Sequence, residues 1–225
     1  MMEIEQKRGI SVKSSDIFTV DDLKVNLIDT PGHADFISEV EHSLSVMDAA
    51  ILVISAVEGV QSQTKILMET LESHQIPTVL FVNKIDRVGA DYRKVCESIK
   101  ASLTEDICEM NEIAGEGTSA VEVKQLNPKT IEWIETLALH DEALLADFAD
   151  DRNLSNDRLL KELQRQTKKG VVYPLFADSA AKGIGMAQLF SSLEAFSHVT
   201  FSSDLEANPL SGVVYKVIKN ASGIR

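Results

Sequence analysis

Three short polar segments follow apolar, strand-like stretches in this sequence of 225 residues. They are Asp29-Thr30-Pro31-Gly32-His33, Asn83-Lys84-Ile85-Asp86 and Ser179-Ala180-Ala181-Lys182. In open sheets of parallel strands, ligands bind beyond the carboxyl ends of the strands, where all three segments begin. Each segment alone is typical of an ordinary turn or surface loop. Their order and their shared position at strand ends predict a single binding site.

The residue types in the second and third segments favour guanine as the ligand. Asp86 can accept two hydrogen bonds at once, from the ring N–H and the exocyclic amine of guanine. Asn83 can tether the loop and reach the acceptor edge of the base, while Lys84 can lay its stem along the ring. We expect the backbone N–H of Ala180, after Ser179, to meet the guanine oxygen. Adenine lacks the 2-amino donor, so a half-paired carboxylate would disfavour ATP by about 2–5 kcal/mol.

The first segment contains residue types that suit phosphate and magnesium. Gly32 lets the backbone approach a terminal phosphate closely, and Asp29 is placed to hold Mg²⁺ through water. His33 could orient the attacking water, which is the positioning that phosphoryl transfer chiefly requires. Ser11 lies in a further predicted loop at residues 8–11, where its hydroxyl would be a second magnesium ligand. These positions predict that His33 is catalytic and that Ser11 and Asp29 bind the metal.

A phosphate-binding loop of the form G-x-x-x-x-G-K-[ST] is missing from these residues. None of the 11 glycines is followed by lysine, so the motif cannot be written anywhere in the sequence. We therefore expect this chain alone to bind GTP weakly or not at all.

The composition is that of an ordinary globular protein. Hydrophobic residues make up 44% of the chain and charged residues 25%, which predicts a packed core. The formal net charge of −13 argues against binding nucleic acid by broad phosphate neutralisation. No apolar stretch approaches the roughly 20 residues that a membrane helix needs. Cys96 and Cys108 are too few for a disulfide framework, so we expect reduced, buried thiols in a soluble cytoplasmic protein that contacts no membrane.

Strand and helix patterns alternate along most of the chain, which predicts a mostly parallel sheet with helices on both faces. Strands are predicted at 15–20, 24–29, 49–54, 78–82, 171–177 and 212–218, and helices near 36–44, 66–71, 92–99 and 186–196. The first two strands read as a hairpin. This alternation of strands and helices is interrupted between residues 104 and 170, where long helices are predicted at 129–150 and 155–169. We expect this segment to be an insertion packed beside the sheet rather than part of it.

The chain resembles the G domain of translational GTPases of the elongation factor G type. The motifs that carry the resemblance are the two switch-like segments and the base-recognition loop, at residues 7–12, 29–36 and 83–86. Within that group, three further segments resemble the tetracycline-resistance ribosomal protection proteins, at residues 43–48, 59–64 and 81–86. Ser11 stands where the family usually has threonine, which keeps the hydroxyl and loses a methyl group.

The resemblance implies a P-loop-NTPase-like α/β G domain that here lacks its first strand. The implied divisions are the first part of the G domain (1–104), an α-rich insertion (105–170), the last strand and helix of the G domain (171–203), and the start of a β-barrel domain (204–225). The first strand of this fold lies in the middle of the sheet. Without it two apolar strand edges are open, which favours oligomerisation or strand swapping.

The same resemblance implies a function and leaves alternatives. The parent protein would bind GTP or GDP with Mg²⁺, enter the factor site of the ribosome, displace tetracycline there, and leave on hydrolysis. An elongation factor G paralogue is one alternative. A non-catalytic module that keeps the fold and offers its acidic insertion to a basic partner is a second, and a truncated reading frame without a cellular role is a third. Only the nucleotide interpretation requires the carboxylate of Asp86.

Overall fold

A computed structural model describes residues 14–20, 23–30, 43–44, 46–126, 128, 130–150, 154–197, 219–220 and 223–224. The chain divides into two units. One unit comprises residues 1–48 and 199–225, and the other comprises residues 49–198. Among the described residues no helix is long and apolar enough to cross a membrane.

The first unit contains the predicted hairpin. Strand β1 (Ser14–Val20) pairs antiparallel with β2 (Leu23–Asp29), and Val20 lies opposite Leu23. Only two residues therefore connect the strands, as the sequence Asp21-Asp22 predicts. The hairpin is confirmed and ends at Asp29. The helix predicted near 36–44 lies mostly outside the described residues.

The second unit is built on a four-stranded parallel sheet. Its strands are β3 (Ala50–Ser55), β4 (Thr78–Asn83), β5 (Ile107–Glu109) and β8 (Tyr173–Ala177), in the spatial order β3-β4-β8-β5. The remaining two strands, β6 (Asn111–Ala114) and β7 (Glu122–Gln125), form a separate antiparallel hairpin. Among the described strands, β3 pairs only with β4. The α/β fold class is confirmed, and the absence of a first strand stays a prediction.

Six helices accompany these strands in the described part of the second unit. They are α1 (Ser62–Ser73), α2 (Tyr92–Ser102), α3 (Ile131–Ala138), α4 (Glu142–Ala149), α5 (Asn156–Lys168) and α6 (Met186–Phe196). The single helix predicted over 129–150 is wrong, because it is two helices. Asp141 accepts a hydrogen bond from the backbone N–H of Leu144 and so caps a new helix.

The central strand β4 is buried on both faces, which is typical of a parallel sheet covered on both sides. Val79 and Phe81 belong to one apolar cluster that also contains buried residues of α3, α5 and α6. Leu80 and Val82 alternate with them and therefore point to the opposite face, where both are fully buried. Burial on both faces holds the carboxyl end of β4 firmly in place.

Residues 105–170 contribute to the sheet as well as packing beside it. Strand β5 pairs parallel with β8, so the expectation that this whole segment lies outside the sheet is wrong. The indole Nε1–H of Trp133 donates a hydrogen bond to the carbonyl of Glu109, which joins α3 to the end of β5. Two-residue strands β9 (Lys219–Asn220) and β10 (Gly223–Ile224) pair antiparallel. The strand expected at 212–218 lies outside the described residues, and the division into four domains stays a prediction.

Candidate functional site

The predicted base-recognition residues lie at the ends of two neighbouring strands. Asn83 is the last residue of β4, and Ser179 follows β8 by two positions. The strands are parallel and in register, with Val82 opposite Ala177. Their carboxyl ends therefore meet at the same edge of the sheet. This arrangement brings the loop after β4 and the loop after β8 into direct contact.

Two side-chain hydrogen bonds join these loops. The hydroxyl of Ser179 donates to Oδ1 of Asp86 at 2.7 Å, and Oδ1 of Asn83 accepts the backbone N–H of Ala180 at 3.1 Å. Asn83 thus tethers the second loop, as its residue type predicts. The N–H of Ala180, which sequence analysis assigns to the guanine oxygen, is donated to Asn83 in this structure. Four of the predicted binding residues form one connected network.

Lys84 takes a backbone conformation that is uncommon for a residue with a side chain. Its φ of 68° lies in the left-handed region, and its N–H donates to Oδ1 of Asn83 at 2.7 Å. Such positions cluster at binding sites, where the surrounding structure holds the strain. The ammonium group of Lys84 lies 3.4 Å from Oε2 of Glu58, and both side chains are about half exposed. Hydrogen bonding from Ser55, followed by attraction to Lys84, lowers the pKa of Glu58.

A cleft of about 210 Å³ opens beside this ion pair. Polar side chains on its wall come from the end of β3, the loop that follows it, the first turn of α1 and the end of β4, namely Ser55, Glu58, Gln61, Thr64, Asn83 and Lys84. The cleft places hydrogen-bonding groups directly beside the base-recognition loop. It offers both a cationic and an anionic side chain to a bound molecule.

Asp86 is a charged carboxylate with two partners. Besides the Ser179 hydroxyl on Oδ1, the ammonium group of Lys182 lies 3.4 Å from Oδ2. The Ser179 hydroxyl, and to a smaller extent Lys182, holds the pKa of Asp86 below its ordinary value. The side chain of Asp86 is 11% exposed, so it can still be reached from solvent. A carboxylate in this state is ready to accept hydrogen bonds from N–H donors.

Asp178, immediately before Ser179, has the opposite surroundings. It is completely buried, and neither carboxylate oxygen has a hydrogen-bond partner among the residues that the structure describes. Burial raises the pKa of Asp178 to about 7. The carboxyl group lies against Gly185, where a Cβ atom would come within 1.3 Å of Oδ1. Sequence reasoning missed Asp178, because nothing in its sequence context distinguishes it from a solvated loop carboxylate.

Asn111 is a second residue that sequence reasoning missed. Its buried side-chain amide pairs with the backbone of Ala177, donating to the carbonyl at 3.1 Å and accepting the N–H at 3.0 Å. The end of β8 is thereby held two residues before Ser179. A polar residue between Met110 and Glu112 at the start of a short strand carries no signal of this contact in the sequence.

The β6–β7 loop also contacts the base-recognition loop. The backbone N–H of Gly117 donates to the carbonyl of Ile85 at 2.8 Å, and Oε2 of Glu116 accepts the N–H of Tyr92 at 2.8 Å. This loop lies in the predicted insertion. The insertion therefore supports the candidate site directly.

The structure describes only one of the residues predicted to act on phosphate and magnesium. Asp29 is exposed at the end of β2, in the first unit. Ser11, Gly32 and His33 lie outside the described residues. Among the residues that are described, no group of three or more His, Cys, Asp or Glu side chains could hold a metal ion.

The two cysteines are buried and free, as predicted. Burial raises the pKa of both thiols to about 12. At neutral pH both are therefore protonated, which is the form of low nucleophilicity.

The parallel α/β sheet with connected polar loops at its carboxyl edge defines an α/β class of domain in which ligands bind at that edge. Comparison with known proteins identifies the family. Residues 1–198 match the family of elongation factor Tu GTP-binding domains. The chain therefore belongs to this family of translation-factor domains, for which guanine nucleotide is the implied ligand. The predicted family resemblance is confirmed.

Similar proteins carry names that refer to tetracycline resistance. Tetracycline resistance protein TetP of Clostridium perfringens is 44% identical over 96% of this chain and 33% of its own length. An oxytetracycline resistance protein of Streptomyces rimosus is 44% identical over 99% of this chain and 34% of its own length. The chain thus spans about a third of the length of these relatives.

A solved structure from Thermus thermophilus shares the fold. Its TM-score is 0.79 at 22% identity, covering 99% of this chain and 38% of the other chain. At this identity the similarity shows the fold alone.

Proposed function

We propose that the loops after β4 and β8 bind the base of a guanine nucleotide. In this proposal Asp86 accepts the ring N–H and the 2-amino group, and Lys84 covers one face of the ring. Asn83, Ser179 and Ala180 hold the two loops in register around the base. The single observation that carries the proposal is the hydrogen-bonded network that joins Asp86 to Ser179 and Asn83 to Ala180.

The charge state of Asp86 supports this role. Its lowered pKa keeps the side chain ionised at neutral pH, which guanine recognition requires because both guanine groups are donors. Ser179 engages Oδ1 and leaves lone pairs on the carboxylate for the base. The N–H of Ala180 can be shared between Oδ1 of Asn83 and the guanine oxygen, since three-centre hydrogen bonds are common.

For hydrolysis we propose the roles that the family resemblance implies. Asp29, exposed at the end of β2, would hold Mg²⁺ together with Ser11, while Gly32 would contact the terminal phosphate. One exposed carboxylate suits magnesium, which usually keeps several waters and takes few protein ligands. The ion would supply charge stabilisation to the phosphate oxygens. His33 would hold the attacking water in line with the phosphate.

We further propose that the parent protein acts as a translation factor on the ribosome, in the cytoplasm, and that it protects the ribosome from tetracycline. The names of the two relatives described above support this, since both refer to tetracycline or oxytetracycline resistance. These 225 residues contain no G-x-x-x-x-G-K-[ST] motif, so we propose that the chain alone binds nucleotide weakly and hydrolyses it poorly. Association through open strand edges stays a prediction.

Competition between purines tests the proposal. Dissociation constants of GDP and ADP for the 225-residue chain are measured by ligand-observed NMR, which reaches the millimolar range. We expect GDP to bind at least about 30-fold more tightly than ADP, because a half-paired carboxylate costs about 2 kcal/mol or more. Equal binding of the two would contradict base recognition by Asp86. A GDP dissociation constant of micromolar order would instead contradict the weak binding proposed for the chain alone.

A further inference from the structure

Lys182 lies where it can compete with a base for Asp86. It is the last residue of a short 3₁₀ helix, Ala180–Lys182, that follows Ser179. Its ammonium group is 3.4 Å from Oδ2 of Asp86 and 3.5 Å from the carbonyl oxygen of Ser119 in the β6–β7 loop. Lys182 thus joins the loops that follow β4, β6 and β8.

The two oxygens of Asp86 are engaged with different strength. The Ser179 hydroxyl donates to Oδ1 at 2.7 Å, the usual length for a hydroxyl–oxygen bond. The contact of Lys182 with Oδ2 is 3.4 Å long, which exceeds the roughly 2.7–2.9 Å of a good charge-assisted hydrogen bond. Lys182 is also the more exposed member, with 36% of its side chain accessible against 11% for Asp86. Of the two partners of Asp86, Lys182 is therefore the one that a bound base can displace.

Guanine has two parallel donors, and these require both carboxylate oxygens. Because each carboxylate oxygen has two lone pairs, the Ser179 hydroxyl can stay on Oδ1 while the base binds. The ammonium group of Lys182 lies 3.4 Å from Oδ2, so it competes with a base for the charge of this oxygen. We propose that Lys182 is an internal competitor for Asp86, which guanine must displace from Oδ2 in order to bind.

This inference rests on the proposed recognition of guanine by Asp86 and adds a residue that weakens it. A displaced Lys182 keeps the carbonyl of Ser119 within reach, so the lysine has a second place to go. Ion pairs with an exposed partner are weak, so removing the competitor changes a dissociation constant by about fivefold at most.

The test is the affinity of GDP for the variant Lys182→Met, which keeps the aliphatic stem and removes the charge. We expect the dissociation constant of GDP to fall about two- to fivefold, because the competing ion pair is gone. General electrostatics predicts the opposite sign, since removing a positive charge weakens the binding of an anionic nucleotide. Lys182→Arg, which keeps the pair, should bind GDP like the unmodified chain.

Lys161→Met is the matched control, because Lys161 is exposed on α5 and its loss changes the net charge equally. It should leave GDP affinity unchanged or slightly reduced. The pKa of Asp86, followed by carboxyl ¹³C NMR, should rise in Lys182→Met and stay unchanged in Lys161→Met. An unchanged or weaker GDP affinity in Lys182→Met, while GDP is still preferred over ADP, would overturn this inference alone. Loss of the preference for GDP over ADP in the unmodified chain would overturn the proposed function and this inference together.

Discussion

Two aspartates at the ends of neighbouring strands have opposite environments. Asp86, in the loop after β4, has a hydroxyl and an ammonium partner, and its pKa is lowered. Asp178, at the end of β8, is completely buried without a hydrogen-bond partner among the described residues, and its pKa is raised to about 7. The comparison shows that position at a strand end does not determine the chemistry of a carboxylate. Its partners and its burial do.

Each aspartate contributes to the candidate site in a different way. Asp86 is ionised and partly accessible, so it can read donors on a base. Asp178 is adjacent in sequence to Ser179 and packs against Gly185 at the start of α6, so it belongs to the support beneath the site. An ionised carboxylate buried without partners destabilises the folded chain. We therefore expect changes of pH or of packing around Asp178 to alter the stability of the chain. Changes of the base should instead alter the affinity of the ligand for Asp86.

The largest expected effect on stability is that of Gly185→Ala. Gly185 has a φ of 80°, and an added Cβ would lie 1.3 Å from Oδ1 of Asp178. Left-handed backbone costs about 1–2 kcal/mol for a residue with a Cβ, and overpacking adds about 1–3 kcal/mol. We expect the free energy of unfolding, measured by urea titration, to fall by about 2–5 kcal/mol.

Gly183→Ala separates the two contributions. Gly183 has a similar φ of 67°, but no atom lies within 4 Å of its would-be Cβ. Gly183→Ala should lower the free energy of unfolding only by the backbone contribution, about 1–2 kcal/mol. Gly185→Ala in a chain that also carries Asp178→Ala should cost no more than Gly183→Ala. If Gly185→Ala costs the same with and without Asp178, the contact between the two residues has no energetic consequence.

A smaller effect is expected from pH through Asp178. Its pKa is about 7 in the folded chain and about 3.9 when unfolded, so the folded state holds the proton more tightly. Stability from this group is fully present below the unfolded pKa, declines as pH rises from about 4 to 7, and then stays low. Asp178→Ala removes this dependence. We expect the free energy of unfolding of the variant, relative to the unmodified chain, to increase by about 1–3 kcal/mol between pH 5 and pH 8.

The difference between the two chains is the quantity to compare, because other titrating groups cancel in it. Urea titrations at pH 5, 6, 7 and 8 provide it. A difference that stays constant with pH would show that Asp178 is ionised in the folded chain or that its carboxylate has partners in solution.

Most of the fold could be predicted from periodicity because strong apolar patterns determine it. Tyr92, Val95, Cys96 and Ile99 are spaced as one helical face, and all four are buried in α2. For α1 the apolar pattern predicts the helix but does not identify its buried face. Ile66 is 40% exposed, whereas Thr64 and Met68 are buried with Leu71. Apolar residues occur on both sides of this helix, so the sequence pattern could not show which side faces the sheet.

The insertion was the hardest region to predict from the sequence. Strand β5 is only three residues long, so it carries too little alternation to be recognised. The break between α3 and α4 depends on the capping hydrogen bond of Asp141, which a continuous apolar pattern conceals. Short elements whose conformation depends on tertiary contacts are not determined by local periodicity.

Some residues of the candidate site could likewise be predicted from the sequence, and others could not. Asn83, Asp86 and Ser179 could be placed together because each follows an apolar strand with a recognisable motif. Asn111 and Lys182 could not, because their roles come from contacts between distant segments, and Asp178 could not, because its sequence context does not show that it is buried. Asn111 reaches Ala177 across 66 residues, and Lys182 reaches Asp86 across two loops.

The central claim is that the carboxylate of Asp86 binds the two N–H donors of guanine. The most direct test changes one hydrogen-bonding group on the base and its partner on Asp86 at the same time. Asp86→Asn replaces one acceptor by a donor, and xanthine correspondingly carries an oxygen where guanine has its 2-amino group. Dissociation constants of GDP and xanthosine diphosphate are measured for the unmodified chain, for Asp86→Asn, and for Asp157→Asn, an exposed control on α5. The account predicts that GDP is preferred by the unmodified chain and the control, and that Asp86→Asn prefers xanthosine diphosphate. A preference that is the same in all three chains would contradict it.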